Sequence, residues 1–313
     1  MADPNNPTGS AGLIAIDKRG WHALFLDPHT YAASASIELP RRPHEVAISP
    51  DHRRAYVSIY GLGVYGDNPR PDHSIMVLDV ASKAICGTID VAPYLAPHGL
   101  MLGHDGLLYA SCDQSAVVVV IEDDVLVGAI EAGSDGPHQI VMLPDGTRLY
   151  VENEQYPWIS VLDVSKRCLQ RTIELPGGSA GICCTADGKA VLVVAEREPV
   201  LTVLDTASDT PVTRIALQGH SEPAQRVRCS PNGQYTVVTS FEAPLVTLFD
   251  AQLENQVALQ VADGPMGVGF APDGRTALIG NHGAGRITVI DLEAGRVTDT
   301  FAAGVGVETL AFY

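Results

Sequence analysis

The chain has 313 residues, of which 46% are hydrophobic and 18% are charged, and its formal net charge is −17 at pH 7. This much apolar sequence can bury a substantial core. The acidic charge repels nucleic acid and anionic membrane surfaces, so we expect neither as a partner, whereas a cationic ligand or a metal ion is tolerated. The longest apolar runs, such as 116–121, are too short to span a bilayer.

The N-terminal stretch MADPNNPTGSAG has no basic segment followed by an apolar one, and the six cysteines show no paired metal spacing. We therefore expect no secretory signal, reduced thiols and a cytoplasmic location. The whole chain, 1–313, is expected to form a single domain, with residues 1–11 as a flexible N-terminal tail.

From residue 12 onward, short β-branched strands alternate with turns, and no segment has a convincing helical pattern. An apolar run that ends in an acid recurs seven times: LFLD (24–27), MVLD (76–79), VVIE (119–122), SVLD (160–163), TVLD (202–205), TLFD (247–250) and TVID (288–291). From Asp79 onward the acids are 41 to 45 residues apart. A period just over 40 is typical of four strands per propeller blade.

The two ends of the chain predict how the ring closes. The N-terminal segments GLIAIDK (12–18), WHALFLD (21–27) and YAASASIELP (31–40) supply the second, third and fourth strands of a blade. Its first strand is the final segment, VETLAFY (307–313). The prediction is an all-β, seven-bladed β-propeller of four-stranded blades, in which the C-terminal strand joins the N-terminal three and leaves no open edge.

The repeats also resemble a known family. PDHRRAYVS (50–58), PDGTRLYVENE (144–154) and SVLDVSKRCLQRTIELP (160–176) are similar to the YVTN-repeat propellers, which are related to surface-layer and lactonase-like seven-bladed proteins. The resemblance covers nearly the whole chain. It implies the fold and, among activities, hydrolysis of a lactone or ester, elimination or isomerisation.

A Pro-His pair occurs in three consecutive repeats: RRPHEVAISPD (41–51), LAPHGLMLGHD (95–105) and DGPHQIVMLPD (135–145). First strands line the central channel, so the equivalent positions form a ring of His44, His98, His138, Ala180, Gln225, Met266 and Glu308. We predict that His44, His98, His138 and Glu308 bind a divalent transition metal ion, because these donors suit Zn, Fe, Ni, Mn or Cu. Alternatively, the histidines are a blade consensus or a polar channel lining that holds water.

A second ring lies at the ends of the second strands: Asp17, Tyr60, Asp113, Glu154, Glu196, Phe241 and His282. From it we predict Glu154, Glu196, His282 and Tyr60 as catalytic groups, acting as acid or base or orienting the histidines. Long loops on a rigid scaffold often carry recognition, and the longest here, 61–73, includes Tyr65. The predicted substrate-binding residues are His73, Tyr156, Trp158, His220, Gln225 and Arg226. Tyr156 and Trp158 could equally pack as a loop cap.

These patterns favour a metal-dependent enzyme that acts on a small organic molecule at the channel mouth. The resemblance to the YVTN-repeat propellers implies a hydrolase (lactonase), lyase or isomerase. The alternative from another class is a non-catalytic propeller that binds a protein or peptide and holds no metal. A further alternative is a histidine-metal oxygenase. A Gly-rich phosphate loop and a nucleophile elbow are both missing from the sequence.

Overall fold

The computed structural model describes residues 12–64 and 67–313. The tail expected at 1–11 and the loop residue Tyr65 lie outside the described residues. In chain order the strands are β1 (Leu13–Asp17), β2 (His22–Leu26), β3 (Ala33–Glu38), β4 (Pro43–Ile48), β5 (Arg54–Ile59), β6 (Ser74–Asp79), β7 (Ala84–Asp90), β8 (Pro97–Leu102), β9 (Leu108–Cys112), β10 (Val117–Glu122), β11 (Val125–Glu131), β12 (Pro137–Met142), β13 (Arg148–Asn153), β14 (Trp158–Asp163), β15 (Cys168–Glu174), β16 (Gly181–Cys184), β17 (Ala190–Val194), β18 (Val200–Asp205), β19 (Thr210–Ala216), β20 (Arg226–Cys229), β21 (Tyr235–Ser240), β22 (Leu245–Asp250), β23 (Gln256–Gln260), β24 (Pro265–Phe270), β25 (Thr276–Asn281), β26 (Arg286–Asp291), β27 (Arg296–Ala302) and β28 (Val307–Phe312). A short 3-10 helix, Asp113–Ser115, lies between β9 and β10.

The strands form seven four-stranded antiparallel sheets, which confirms the predicted seven-bladed propeller. Blades 1 to 6 are β4–β7, β8–β11, β12–β15, β16–β19, β20–β23 and β24–β27, and blade 7 has the order β28-β1-β2-β3. The inner strands contact one another in the closed order β28, β4, β8, β12, β16, β20, β24 and back to β28. No helix among the described residues is long and apolar enough to cross a membrane.

Blade 7 closes the ring as predicted. Strands β1 and β28 pair antiparallel, with Ile14 opposite Ala311 and Ile16 opposite Thr309. The Asp17 carboxylate at the end of β1 accepts hydrogen bonds from the backbone N–H groups of Val305, at 2.9 Å, and Gly306, at 2.7 Å. The two ends of the chain are thus joined by ladder hydrogen bonds and by a buried carboxylate.

The core lies between the blades. One cluster, for example, packs Ile14 and Phe25 of blade 7 against Val57 and Ile59 of blade 1. Middle strands are buried on both faces and therefore read as continuous apolar runs, whereas outer strands such as β7 are largely exposed. This layering leaves the inner strands free to carry polar side chains toward the axis.

Candidate functional site: a histidine cluster on the channel axis

The three Pro-His segments lie on the inner strands of blades 1, 2 and 3, and each contains a bulge at the histidine. In blade 1 the pairing passes from Pro43↔Ile59 directly to Val46↔Val57, so two residues of β4 lie opposite a single residue of β5. The same irregularity occurs after Pro97 and after Pro137. A bulge interrupts the alternation of a strand and redirects its side chains. Both members of each bulge, the histidine and its successor, are therefore displaced from the regular pleat.

The backbone before two of these prolines is in the left-handed region. Arg42 has φ 57° and Ala96 has φ 57°, whereas the equivalent residue of blade 6 is Gly264, with φ 65°. For a residue with a Cβ atom this conformation costs about 1 kcal/mol or more. Two of the three Pro-His segments are thus entered through a strained residue, a conformation that also occurs at several outer turns such as His52 and Lys83.

Hydroxyl groups of the preceding blade hold the ring residues in place. Ser58 Oγ donates to the main-chain carbonyl of His98 at 2.8 Å, and Ser111 Oγ donates to that of His138 at 2.5 Å. Thr309 Oγ1 binds the carbonyl of His44 in the same way, at 2.8 Å. The repetition of this contact shows that the three histidines occupy equivalent positions in the fold.

The three imidazole rings form a buried row. The ring centroids of His44 and His98 are 3.8 Å apart and those of His98 and His138 are 3.9 Å apart. Burial lowers the pKa of all three, that of His44 to about 4 and that of His98 well below its ordinary value. The rings are therefore neutral at pH 7 and keep a lone pair on one nitrogen. His98 Nδ1 is buried and has no hydrogen-bond partner among the described residues.

His44 is flanked by charges of both signs. Lys18 Nζ lies 2.5 Å from His44 Nε2 and donates to Glu308 Oε1 at 3.0 Å. His44 Nδ1 is 3.3 Å from Glu308 Oε1 and 3.8 Å from Glu45 Oε1. Burial lowers the pKa of Lys18, although the Glu308 charge opposes this. Lys18 therefore contacts both His44 and Glu308.

His138 is held by two carboxyl groups. Its Nδ1 lies 2.6 Å from Glu152 Oε2 and its Nε2 lies 3.3 Å from Glu154 Oε2. Burial raises the pKa of Glu152 to about 8 and also raises the pKa of Glu154. Both acids are thus biased toward the protonated form, and one of them can donate to the single acceptor nitrogen of the neutral His138 imidazole.

A buried ion network underlies the cluster. Arg226 Nη2 lies 2.9 Å from Glu45 Oε1 and 3.6 Å from Glu308 Oε1. Burial raises the pKa of both carboxyl groups, but nearby cations outweigh this effect. Arg226, the strongest of them for Glu45, holds the pKa of Glu45 well below its usual range. Lys18, the strongest for Glu308, lowers the pKa of Glu308 to about 2. Gln139 Nε2 donates to Glu45 Oε1 at 3.1 Å. Arg226, predicted to touch substrate, is thus buried in an internal ion network.

Tyr60 and Asp113 stand beside the imidazoles. The Tyr60 ring is edge-on to His98, with centroids 5.5 Å apart, and its hydroxyl donates to Asp113 Oδ2. Burial raises the pKa of Asp113 to about 6, although the Tyr60 hydrogen bond opposes the shift. Tyr60, predicted to be catalytic, therefore packs against the cluster.

A cavity of about 710 Å³ lies at the channel mouth, and Lys18 and Glu308, which contact His44, are among its lining residues. Three predicted residues line it: Gln225, His282 and Glu308. His282 Nδ1 lies 3.3 Å from Glu308 Oε2, and burial lowers the pKa of His282. Three basic side chains also line the cavity, namely Lys18, Arg19 and Arg42, together with apolar groups that include Trp21 and Phe241. The mouth is thus basic and partly apolar, although the whole chain is acidic.

The other predicted substrate contacts lie elsewhere. His73 is on the surface, where its Nδ1 is 2.9 Å from Asp90 Oδ1. The rings of Tyr156 and Trp158 are 5.0 Å apart and border a separate groove between blades 2 and 3. His220 Nε2 lies 2.6 Å from Thr247 Oγ1. Glu196, predicted to be catalytic, lies beside Arg197, with Nε and Oε2 3.7 Å apart.

The donors that could hold a metal differ in part from the predicted set. His44, Glu45 and His98 each offer one ligand atom, and these atoms lie within 4.8 Å of one another. Glu45 is absent from the sequence prediction, as are Lys18 and Glu152. Glu152 stands inside the apolar strand RLYVEN, and a charged residue in such a strand is the sequence signal that could have indicated a buried polar site. The metal-ligand assignment of His44, His98, His138 and Glu308 stays a prediction.

The fold and the cluster define a seven-bladed β-propeller with a polar site on its channel axis. The chain is similar in structure to Kuenenia stuttgartiensis hydrazine synthase, with a TM-score of 0.76 and 19% identity over 93% of this chain and 98% of that chain. It is also similar to dihydro-heme d1 dehydrogenase NirN in complex with DHE, with a TM-score of 0.65 and 13% identity over 99% of this chain and 77% of that chain. No protein-family model matches, and neither does any curated protein sequence. The comparisons therefore show the fold, and membership of the YVTN-repeat family stays a prediction.

Proposed function

We propose that the chain is a metal-dependent enzyme that acts on a small organic molecule at the channel mouth, by hydrolysis, elimination or isomerisation. The observation that carries the proposal is the group of His44, Glu45 and His98, whose donor atoms lie within 4.8 Å of one another; His44 contacts Lys18 and Glu308, which line the cavity. A buried nitrogen without a partner, such as His98 Nδ1, is rare in proteins unless an ion or water satisfies it.

The proposed ligands are His44 and His98, with Glu45, His138 or Glu308 completing the set. Neutral imidazole and carboxylate suit Zn, Fe, Ni, Mn or Cu. A metal ion bound there supplies a Lewis acid or an activated water. Glu152 fits the outer partner that metal-binding histidines commonly have, since it contacts His138 Nδ1 at 2.6 Å.

The chain's own groups have separate proposed roles. His282, which lines the cavity and is held neutral by burial, can accept a proton from substrate, and the adjacent Glu308 stabilises the imidazolium that results. Where His138 is not a metal ligand, Glu154, whose pKa is raised by burial, can hold a proton at His138 Nε2. Tyr60 keeps the imidazole rings in position through its edge contacts.

The charge of the mouth favours an anionic substrate. Lys18, Arg19 and Arg42 line the cavity, and its one acidic lining residue, Glu308, is already paired with Lys18. The walls Trp21 and Phe241 suit an apolar body. We therefore propose a carboxylate-bearing organic molecule as the substrate class, handled in the cytoplasm, where thiols stay reduced.

The test is elemental analysis of protein prepared without chelator. The parent should carry about one transition-metal ion per chain. His98→Ala should lose it, with affinity falling by more than the roughly 10- to 100-fold that loss of an outer partner costs. Gln225→Ala is the matched control, because Gln225 lies on the same ring of first strands but offers a poor ligand, and it should keep the metal.

Lys18 provides the discriminating variant. Its Nζ lies 2.5 Å from His44 Nε2, so it competes with a metal for that nitrogen. Lys18→Met should therefore raise metal affinity while weakening the binding of a carboxylate.

A second candidate function, favoured by the same contact, is metal-free binding of an anionic molecule. The metal content of the parent, Lys18→Met and His98→Ala proteins is measured after metal supplementation at pH 7. If none of the three retains metal, the metal-dependent proposal is overturned and the second candidate remains.

A further inference from the structure

Two cysteines from neighbouring blades meet inside the propeller. Cys183 lies on β16, the inner strand of blade 4, and Cys229 lies on β20, the inner strand of blade 5. Their Sγ atoms are 3.1 Å apart, and both thiols are free. A bond between them requires an approach of about 1 Å, since bonded sulfur atoms are about 2.05 Å apart. Cys184, adjacent in sequence, instead directs its Sγ to the carbonyl of Thr185, at 3.3 Å.

The pair is accessible from one side. Cys183 is buried, whereas Cys229 is half-buried and lines a cavity of about 460 Å³ between blades 4 and 5. This cavity lies at the opposite end of these strands from the ring positions Ala180 and Gln225. A small reagent can therefore reach Cys229 without entering the histidine site.

The surroundings of the two thiols differ. Hydrogen bonds from Cys183 and Thr236, together with the nearby Arg228 charge, lower the pKa of Cys229, while burial raises the pKa of Cys183. The thiolate is the nucleophile in thiol–disulfide exchange. Cys229 thus has the access and the lowered pKa of an attacking thiol, and Cys183, with its Sγ 3.1 Å away, has the position of a resolving thiol.

We propose that Cys183 and Cys229 form a reversible disulfide that joins blade 4 to blade 5 when a low-molecular-weight disulfide oxidises the protein. The Cys229 thiolate attacks one sulfur of the oxidant, which breaks its S–S bond and releases one thiolate. Cys183 then loses its proton and attacks Cys229 Sγ in the mixed disulfide, releasing the second thiolate. The two protein thiols lose two electrons and two protons, and the oxidant becomes two thiols.

The bond would join the inner strands of blades 4 and 5. Cys183 and Cys229 are 46 residues apart in sequence, so the disulfide closes a loop that contains most of blade 4. Loops of this length restrict the unfolded chain strongly. The oxidised protein should therefore melt several degrees, roughly 5 to 15 °C, above the reduced protein.

The experiment uses the whole folded protein and glutathione disulfide. Samples are quenched with acid, alkylated in denaturant and mapped by mass spectrometry, in a Cys184→Ser background because Cys183 and Cys184 share a tryptic peptide. The expected product is a cross-link between Cys183 and Cys229, with the melting temperature raised. It should disappear in Cys183→Ser, which instead accumulates glutathione on Cys229.

The exposed Cys86 and Cys168 serve as internal controls for the reagent. The proposal is overturned if they become glutathionylated while Cys183 and Cys229 are recovered fully alkylated. It is equally overturned if glutathione remains on Cys229 of the parent without a cross-link. Dithiothreitol should reverse the cross-link and the rise in melting temperature together; failure of that reversal contradicts a reversible disulfide.

Discussion

Ser111 is a single hydroxyl group that connects blade 2 to the histidine of blade 3. It donates to the His138 carbonyl at 2.5 Å and accepts from the Gly99 N–H at 2.8 Å, and it is fully buried. Ser58 has the same role one blade earlier, with the Glu45 N–H at 3.1 Å and the His98 carbonyl. Each serine thus satisfies two main-chain groups of the channel wall.

Ser111→Ala should lower the free energy of unfolding by about 1–3 kcal/mol, because it leaves a buried N–H and a buried carbonyl without partners. Ser58→Ala should behave similarly, whereas Ser36→Ala, at an exposed position of β3, should change stability by less than about 0.5 kcal/mol. Urea unfolding measures all three. Equal stabilities for Ser111→Ala and Ser36→Ala would contradict this role.

Some residues of the histidine cluster were predictable from the sequence and others were not. The alignment of repeats located His44, His98 and His138, because their Pro-His context recurs. Glu45 and Gln139 were missed because the alternation of a strand turns neighbours to opposite faces, and the bulges that redirect them have no clear sequence signal. Lys18 was missed because it follows the predicted ring residue Asp17 by one position. Ligand and catalytic roles remain predictions for all of these residues.

Among the elements, the turns between third and fourth strands explain the most visible repeat in the sequence. Asp79 accepts from the Ser82 N–H at 2.7 Å, Asp163 from the Lys166 N–H at 2.9 Å, and Asp205 from the Ser208 N–H at 2.8 Å. In these repeats the acid that ends the apolar run is therefore a turn residue. Its recurrence reports the fold and carries no information about chemistry at the channel mouth.

Asp163→Asn tests this assignment through pH. Hydrogen bonds from Lys166 and Ser165 lower the pKa of Asp163 from 3.8 to about 2 in the folded state. The carboxylate therefore stabilises the fold above pH 3.8, and this contribution is lost as the pH falls toward about 2. The difference in free energy of unfolding between parent and variant should be constant above about pH 5 and shrink below about pH 4. A difference independent of pH would contradict a role for the charge.

The insertion after Tyr60 has local structure that the sequence did not predict. The sequence predicts an irregular loop over 61–73, yet Gly61 pairs with Pro71 in a β-bridge, and Val64 pairs with Asp67. Asn68 is buried and donates to the Tyr60 carbonyl at 2.8 Å, while Arg42 donates to the Gly63 carbonyl at 2.8 Å. These contacts bring Leu62 and Val64 to the cavity, and they depend on side chains far apart in sequence.

For the molecule as a whole, the fold was predictable because the period of 41 to 45 residues fixes four strands per blade and the ends of the chain complement each other. The function was less predictable from the sequence than the fold. The same architecture supports unrelated activities, and solved structures at 19% and 13% identity are informative only about the fold. What distinguishes this chain is the asymmetry of its channel, with three histidines on consecutive blades and Ala180, Gln225 and Met266 on the next three.

Deleting residues 307–313 tests the closed ring. The deletion removes β28, exposes the edge of β1 and takes away Glu308, which lies within 4 Å of Lys18, His44, Arg226 and His282. The truncated protein should aggregate or lose cooperative unfolding, because an unpaired inner edge is a template for other strands.

Tyr313→Ala is the milder control: its ring packs edge-on against Phe25, with centroids 6.0 Å apart, while the strand is kept. It should unfold cooperatively with a loss of roughly 3–5 kcal/mol. Size-exclusion chromatography and calorimetry distinguish the two, and a truncated monomer that melts like the full-length chain would show that closure by β28 does not hold the propeller together.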